Sequence, residues 1–467
     1  MLFNSYVFVF AFLPVVLLGW WSIRGQKQRL LFLTLASYLF YAWWDPRFLP
    51  LMLATTGADY YAGKRISMAQ NEHARKAWLV AVLCFNLGLL GVFKYLAFAV
   101  NAVNHAAAWM NMGPVGIMPP IILPIGISFY TFNSISYTID VYRRRTPRAG
   151  SLLEFATFVA MFPHLVAGPI IRYAEMRRQL VSIPESPPAG FSTFGIWLFV
   201  AGMVKKVIIA DTIARRLVDP LFANPGDLHI VTSWLAAVSY AVQIYFDFSG
   251  YSDMAVGLAL MLGLRFPQNF DSPYKAISIA DFWRRWHMSL SMFLRDYLYM
   301  PLGGSDGGHW KTVQNLALTM AIGGLWHGAA WTFIVWGLYH GVLLAAHALL
   351  RANGWTPRSR PLNTLLTFAA VVIGWVIFRS ASLGGAAIVV NAMLGGAGIE
   401  SLSELRNVVG SRSLALLTTA LVLIFAFPNT WEVRFPRGRL AAVFAAGALI
   451  ACAMSFAHAS PFLYFQF

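Results

Sequence analysis

DFWRRWHMSLSMFLRDYLYMPLGG, residues 281–304, is the most informative stretch of this chain for its architecture. Its first sixteen residues contain six charged or titratable side chains, too many for a segment that crosses hydrocarbon. On a continuous helix the polar side chains would share one face and the aromatic side chains another. We therefore expect an amphipathic helix that lies at a membrane surface with its aromatic side inward. The six residues are Asp281, Arg284, Arg285, His287, Arg295 and Asp296.

The next segment, Leu316 to Leu350, is apolar and reads LALTMAIGGLWHGAAWTFIVWGLYHGVLLAAHALL. It contains no Asp, Glu, Lys or Arg in 35 residues, yet it holds three histidines, His327, His340 and His347. A titratable residue in such a run is a functional-site hypothesis by default. A neutral imidazole can accept a proton, so His327 is either a general base or a structural hydrogen-bond donor.

Glycines surround this first histidine. Gly324 and Gly328 flank His327 in the motif GGLWHG. Residues without side-chain bulk leave room beside the ring, so we expect both glycines to line a cavity for a thin substrate. A metal site is not expected, because His327 and His340 would lie about 20 Å apart on one straight helix.

The composition indicates a membrane protein. Hydrophobic residues make up 58% of the chain, against roughly 45–50% in soluble proteins, and charged residues only 12%. The net charge of +16 would suggest nucleic acid as a partner in a soluble protein, but the basic residues cluster in short loops between apolar runs. We predict an all-α polytopic membrane protein of about 11–13 transmembrane or re-entrant helices, with one surface amphipathic helix.

Short basic loops predict the topology. The apolar run Tyr6 to Ile23 lacks signal-peptide features, so we expect a retained helix. It is followed by RGQKQR, residues 24–29, and the positive-inside rule places this loop in the cytoplasm and the N-terminus outside. The triad Arg143 to Arg145 is expected on the cytoplasmic side as well. Cys84 and Cys452 lie in apolar runs with no partner spacing, which implies neither disulfide nor metal use.

Two acidic residues lie in the apolar motif YFDFSGYSDMA. Asp247 and Asp253 are six residues apart, about 240° around a helix, so they do not form a same-face acid pair. The pair Ser249-Gly250 predicts a helix break, with Asp and Ser side chains capping the two halves. The alternative is that Asp247, Tyr251 and Asp253 line a cavity and contact substrate. Before this segment, Lys205 and Lys206 are expected to extend to lipid headgroups.

Five segments resemble the membrane-bound O-acyltransferase family, within a motif-bearing core at about residues 41–347. The resemblance is strongest to its bacterial branch, which includes alginate O-acetylation proteins, cellulose-acetylating relatives and teichoic acid D-alanylation proteins. The segments are LPIGISFYTFNSISYTIDVYR, FPHLVAGPIIRY, YFDFSGYSDMA, DFWRRWHMSLSMFLRDYLY and GGLWHGAAWTFIVWGLYHG.

The resemblance implies a site and a reaction. His327 would be the family's catalytic histidine, and His287 the second family histidine, on the cytoplasmic side of a central tunnel. An acyl donor, acetyl-CoA or another acyl thioester, would enter from the cytoplasm, with no cofactor bound. Arg284, Arg285 and Arg295 could hold the phosphates of such a donor. The alternative is that these arginines only anchor the helix at the membrane interface.

We expect residues 1–467 to form a single membrane-embedded acyltransferase domain, with closing helices at about 362–460. The expected function is transfer of an acetyl group across the bacterial inner membrane for O-acetylation of an exported polysaccharide, alginate or cellulose. D-alanyl transfer to teichoic acid and non-enzymatic transport of a polysaccharide precursor are the alternatives. Expected partners are membrane lipids and periplasmic acetyltransferase-type proteins of an exopolysaccharide complex, without nucleic acid.

Overall fold

A computed structural model describes residues 1–354, 359–401, 410–433, 438–458, 460 and 462–463. Regular structure in these ranges is helical throughout, which confirms the all-α prediction. The α-helices are α1 Leu13–Ser22, α2 Gln26–Ala42, α3 Leu49–Met68, α4 Glu72–Leu90, α5 Leu96–Trp109, α6 Ile127–Tyr142, α7 Leu152–Ala160, α8 Phe162–Leu165, α9 Tyr173–Val181, α10 Phe191–Met203, α11 Asp211–Ile213, α12 Asp219–Ala223, α13 Ile230–Met261, α14 Ile279–Arg285, α15 Met288–Leu294, α16 Gly308–His327, α17 Trp331–Ala352, α18 Arg360–Arg379, α19 Leu383–Met393, α20 Ser411–Ala426 and α21 Arg439–Met454.

Shorter helical pieces extend or connect these helices. The π-helical pieces are Phe8–Phe12, Gly91–Tyr95, Val204–Ala210, Ala214–Val218 and Arg295–Tyr299. The 3₁₀ turns are Pro46–Phe48, Pro225–Asp227, Pro273–Lys275 and Phe456–His458.

Several helices have the length and composition of membrane spans. Within the described residues, the long apolar stretches are Glu72–Trp109, Phe191–Ala223, Trp331–Ala352 and Arg360–Arg379. Shorter apolar helices are Phe8–Ser22, Leu383–Met393, Ser411–Ala426 and Arg439–Met454. Tilted or re-entrant helices of this shorter kind are stable in a membrane when neighbouring protein covers them. The multi-pass character is confirmed, while the exact number of spans and the tunnel stay predictions.

The chain divides into two compact units. The first unit consists of Met1–Ile196 and Ala255–Pro267, and the second of Trp197–Met254 and Gln268–Phe467. In the first unit, Arg29 is 2% exposed, although it belongs to the basic loop predicted at residues 24–29. α2 already begins at Gln26, so Arg29 belongs to this helix and not to a loop. Its Nε donates to the carbonyl of Trp20 at 3.0 Å. Lys27 is exposed and is therefore the better reporter of topology.

In the second unit, α16 and α17 form a tightly packed antiparallel hairpin. A Cβ atom added at Gly324 would lie 2.1 Å from the carbonyl oxygen of Phe333, and one at Gly337 would lie 2.1 Å from that of Met320. Gly328 is extended, at φ −163° and ψ 153°, and it separates the two helices. Small residues therefore bring two membrane helices into backbone contact, as is common in helix pairs in membranes.

The predicted surface helix is broken at His287. Trp286 is extended, and His287 has φ 43° and ψ 54°, so α14 ends before it and α15 begins after it. The amide of Met288 donates to the carbonyl of Asn269 at 3.0 Å, which stabilises the turn. The expectation of one continuous helix was wrong at this point. The aromatic side does face inward, since Trp286 and Leu290 are each 1% exposed.

The predicted break at Ser249-Gly250 is absent. α13 runs without interruption through both residues, so the expected caps do not form. A Cβ atom on Gly250 would lie 2.7 Å from the carbonyl oxygen of Gly202, and one on Gly202 would lie 2.4 Å from that of Gly250. The glycine is used for close packing against α10.

Candidate active site

His327 is the last residue of α16, and aromatic rings surround it. Its side chain is 4% exposed. The imidazole centre lies 5.0 Å from the Trp326 ring, 5.1 Å from the Trp336 ring and 5.4 Å from the Phe378 ring. The last two rings stand nearly perpendicular to the imidazole. These aromatic walls define the position of the His327 ring and limit its contact with solvent.

His287 is fully buried and has a defined orientation. Its Nδ1 lies 3.2 Å from Oδ1 of Asn269. The same oxygen accepts the backbone N–H of Ser289 at 3.2 Å and its hydroxyl at 2.9 Å. A backbone amide can only donate, so this atom is the amide oxygen and Nδ1 of His287 carries the hydrogen. Burial lowers the pKa of His287 to about 3, so the ring is neutral at pH 7.

The other ring nitrogen of His287 is consequently a hydrogen-bond acceptor. In a neutral imidazole with a protonated Nδ1, the lone pair lies on Nε2. This atom is buried and has no hydrogen-bond partner among the described residues. A buried acceptor without a partner is costly, and such atoms are common where a substrate or water binds. His287 can therefore accept one hydrogen bond from a group that enters the site.

Trp326 connects the two histidines singled out by the sequence. Its ring centre lies 5.0 Å from that of His327 and 6.2 Å from that of His287. The backbone brings them together because α16 ends beside the turn between α14 and α15. The rings of His287 and His327 thus both pack against the same indole.

His340 is also part of this aromatic cluster. Its ring centre lies 5.0 Å from that of Trp336, whose other contacts include His327 at 5.1 Å. Nδ1 of His340 accepts from Nε1 of Trp283 at 3.4 Å. The estimate that placed His327 and His340 far apart on one straight helix was wrong, because the chain turns at Gly328. No group of three or more His, Cys, Asp or Glu residues in the described ranges could hold a metal ion.

The three arginines proposed for donor binding differ in their surroundings. Arg285 pairs with Asp281, Nε to Oδ1, at 3.0 Å and with Asp271 at 3.4 Å, so it holds α14 to the preceding loop. Arg295 pairs with its neighbour Asp296 at 2.6 Å. Arg284 is exposed and makes no hydrogen bond or ion pair to the described part of the chain. Arg284 is consequently the most available of the three for a donor phosphate.

The acidic pair of α13 is bound to lysines. Asp247 lies 2.5 Å from Nζ of Lys206, and Asp253 lies 2.6 Å from Nζ of Lys205. Lys206 is 2% exposed and also pairs with Asp211 at 2.8 Å. The expectation that both lysines extend to lipid headgroups was wrong, because the carboxylates provide their partners inside the protein.

Three other predicted cavity residues are packed against protein atoms. A Cβ atom at Gly328 would lie 2.1 Å from the ring of Phe333, so α17 fills the space that Gly324 and Gly328 were expected to leave open. Tyr251 is 4% exposed, and its ring lies 4.7 Å from that of Phe462.

Sequence reasoning missed the residues that orient His287. Asn269 lies 18 residues before His287, in a loop without periodic pattern. Phe248 contacts the same imidazole edge-on at 4.6 Å, and it was hidden among the apolar residues of α13. The only available signal was an Asn in an apolar loop, FPQNF, where an amide needs a partner once it is buried.

Comparison with known proteins identifies the family. The sequence profile described as MBOAT, membrane-bound O-acyltransferase family, matches residues 142–384, more than half of the chain. The chain belongs to the membrane-bound O-acyltransferase family. Both histidines that pack against Trp326 lie in the matched range.

Relatives of known name cover most of the chain. The "Probable alginate O-acetylase AlgI" of Pseudomonas aeruginosa is 47% identical over 432 residues, which is 91% of this chain and 81% of the relative. The "Peptidoglycan O-acetyltransferase" of Helicobacter pylori is 37% identical over 85% of this chain and 80% of its own length. The "Teichoic acid D-alanyltransferase" of Bacillus subtilis is 30% identical over 54% of this chain and 68% of its own length.

Membership of the family fixes the class of the enzyme. The protein is a multi-pass membrane O-acyltransferase and uses an acyl donor. The resemblance described above, with its bacterial branch, is confirmed.

Proposed function

We propose that this enzyme transfers an acetyl group from a cytoplasmic thioester to a hydroxyl of an exported polysaccharide, alginate. The observation that carries the proposal is the packing of His287 and His327 against the same ring, that of Trp326. The name of the Pseudomonas aeruginosa relative supports both the acetyl group and the alginate acceptor. The Pseudomonas aeruginosa relative is more similar to this chain, in identity and in coverage, than the peptidoglycan and teichoic acid relatives. Peptidoglycan and teichoic acid are therefore the second candidates for the acceptor.

In the proposed reaction His327 is the catalytic base. The acceptor hydroxyl attacks the acyl carbon, a C–O bond forms and the C–S bond of the thioester breaks. His327 removes the hydroxyl proton as the new bond forms and passes it to the leaving thiolate. The ring has the burial that this step requires, at 4% exposure among aromatic walls.

His287 is the second catalytic residue in this proposal. Its free Nε2 accepts a hydrogen bond from an entering hydroxyl or from the amide chain of the donor. Asn269 fixes the tautomer by accepting from Nδ1. Acetyl-CoA or another acyl thioester is the proposed donor, with Arg284 at its phosphates.

The proposed function predicts activity in a complementation experiment. The chain is expressed in an alginate-producing bacterium that lacks its own alginate O-acetylase. We expect acetyl esters to return to the exported polymer, measured by proton NMR, at unchanged polymer yield. Acetyl esters on peptidoglycan alone, or D-alanyl esters on teichoic acid in a matching host, would overturn the alginate assignment. A rise in exported polymer without acetylation would instead support the transporter alternative.

The arginines predict a separable effect on the donor. Arg284→Gln should raise the KM for the thioester about ten-fold with little change in kcat, as expected for a lost charge-assisted contact to a phosphate. Arg285→Gln is the matched control, because Arg285 already pairs with Asp271 and Asp281. Initial rates on purified protein check this. Equal KM values for the two variants and the wild type would show that neither arginine binds the donor, and that both only anchor the helix at the membrane interface.

We further propose one acyltransferase domain over residues 1–467, in the bacterial inner membrane with the N-terminus outside. Periplasmic acetyltransferase-type proteins of an exopolysaccharide complex are the proposed partners. A cytoplasmic donor and an exported acceptor require that the enzyme be reachable from both faces. Basic residues at 24–29 and 143–145 support this orientation by the positive-inside rule.

This orientation predicts the labelling of single cysteines. In a variant without Cys84 and Cys452, a cysteine at Lys27 or Arg144 should react with a membrane-impermeant maleimide only after the cells are opened. Lys27 is preferred over Arg29 because the latter side chain is buried. Labelling of either cysteine in intact cells would reverse the proposed orientation.

A further inference from the structure

A cavity lies within the second unit, and neither His287 nor His327 lines it. Its volume is about 290 Å³, close to the lower limit of ordinary ligand pockets at about 300 Å³. The walls are mostly apolar and come from α10, α13, α20 and α21. They include Val200, Ala201, Val204, Leu423, Ile424 and Ala448. A cavity of this size and lining accommodates one hydrocarbon chain rather than a whole two-chain lipid.

The polar residues of the cavity include Lys205. Its Nζ donates to Oδ2 of Asp253 at 2.6 Å and to Oγ1 of Thr430 at 3.1 Å. An ammonium group has three N–H donors, so one N–H has no acceptor among the described residues. The other carboxylate oxygen of Asp253 accepts from Nε1 of Trp431 at 3.2 Å. The Lys205–Asp253 ion pair therefore has no net charge, and the ammonium group of Lys205 keeps one N–H that can donate to a ligand.

Ser272 provides a second donor to the same cavity. Its Oγ accepts from Nδ2 of Asn429 at 3.0 Å, and its own hydrogen has no acceptor among the described residues. The amide of Asn429 is itself fully used, because Nδ2 also donates to Asp271 at 3.1 Å and Oδ1 accepts from the Trp431 amide at 2.9 Å. Ser272 and Lys205 both line the cavity.

We infer that this cavity binds one acyl chain of an ester-linked membrane lipid, with the ester carbonyl at Lys205 and Ser272. The walls bury the methylene groups, and Lys205 and Ser272 offer two hydrogens that have no acceptor in the described part of the chain. An ester carbonyl is an uncharged acceptor, so it can accept hydrogen bonds from both Lys205 and Ser272. An ionised headgroup would gain little from Lys205, because Asp253 already neutralises its charge. The bilayer supplies such lipids to helices that face it.

Photo-crosslinking tests this site. The full chain is reconstituted in phosphatidylethanolamine vesicles that contain a phosphatidylcholine with a diazirine on one acyl chain. We expect label on peptides from α10 and α20. Ala448→Trp should lower that label about ten-fold, since exclusion of even two methylene groups has that effect. Ala446→Trp is the matched control, because Ala446 is exposed on the same helix and does not line the cavity.

A second arm tests the carbonyl. An ether-linked lipid with the same chains and diazirine lacks this acceptor and should label these peptides about three- to ten-fold less. In Ser272→Ala the difference between the ester and the ether lipid should shrink. Ala201→Trp replaces Ala448→Trp if the latter does not elute as a folded protein in size-exclusion chromatography.

Three results would overturn the inference. Equal labelling in the Ala448→Trp and Ala446→Trp proteins would show that the label reports only general bilayer contact. Equal labelling by ester and ether lipids would remove the carbonyl from the site. Label confined to peptides outside the cavity would place the lipid elsewhere.

Discussion

A His327→Gln protein should accumulate normally in the membrane and lose at least about 10²-fold in acyl transfer, with up to about 10⁴-fold expected for general-base catalysis. Glutamine keeps a side chain of similar reach among Trp326, Trp336 and Phe378, but its amide does not take up the proton. Acetyl content of the exported polymer, divided by the membrane abundance of the variant, measures the loss. Ala would be a poorer choice, because it leaves a cavity among three aromatic rings.

His347→Ala is the control for this experiment. His347 lies in α17 and is only partly buried, and no contact with His327 is seen. His340→Ala is a poorer control, since His340 packs on Trp336 and could change the position of His327. Wild-type acetylation by the His327→Gln protein would refute the assignment of the base. A comparable loss in the His347→Ala protein would show that the effect is not specific to the base.

The sequence predicts the class of fold and the two histidines, but not how they meet. The fold class follows from apolar runs, basic loops and five ordered motifs. Each of these features consists of residues that are close together in the sequence, so no knowledge of the three-dimensional structure is needed to find them. The contact of His287 and His327 with Trp326 depends on a turn at His287 that helical periodicity does not reveal. A non-glycine residue in the left-handed region is uncommon and is held there by its surroundings, here by Asn269.

Glycines were the least predictable residues. A glycine beside a candidate catalytic residue suggests open space, yet atoms of Phe333 occupy the place of a side chain at both Gly324 and Gly328. A glycine next to a serine suggests a break, yet Gly250 lies in an uninterrupted helix and packs on Gly202. Both errors have one physical cause. The absence of a side chain permits either a bend or a close approach, and only the position of the partner helix decides between them.

The buried ion cluster around Lys206 predicts the largest loss of stability. Lys206→Met should destabilise the protein by about 3–5 kcal/mol, because it leaves the carboxylates of Asp211 and Asp247 without a counter-ion at 2% to 3% side-chain exposure. The apparent melting temperature in detergent, followed by fluorescence-detected size exclusion, measures the loss. Lys205→Met is the matched comparison, since the side chains of its pair are more exposed, at 13% and 6%.

The cause of that loss can be separated from a packing defect. A Lys206→Met, Asp211→Asn, Asp247→Leu protein removes all three charges and should recover most of the stability, because an apolar replacement of a buried ion group is often neutral. Part of the loss should remain, since Asp247 also accepts from the amide of Leu463 at 3.1 Å and Asp211 from the hydroxyl of Ser460 at 2.6 Å. These bonds fasten Ser460 to α11 and Leu463 to α13. A Lys206→Met protein as stable as wild type would mean that the carboxylates are not charged in the folded enzyme.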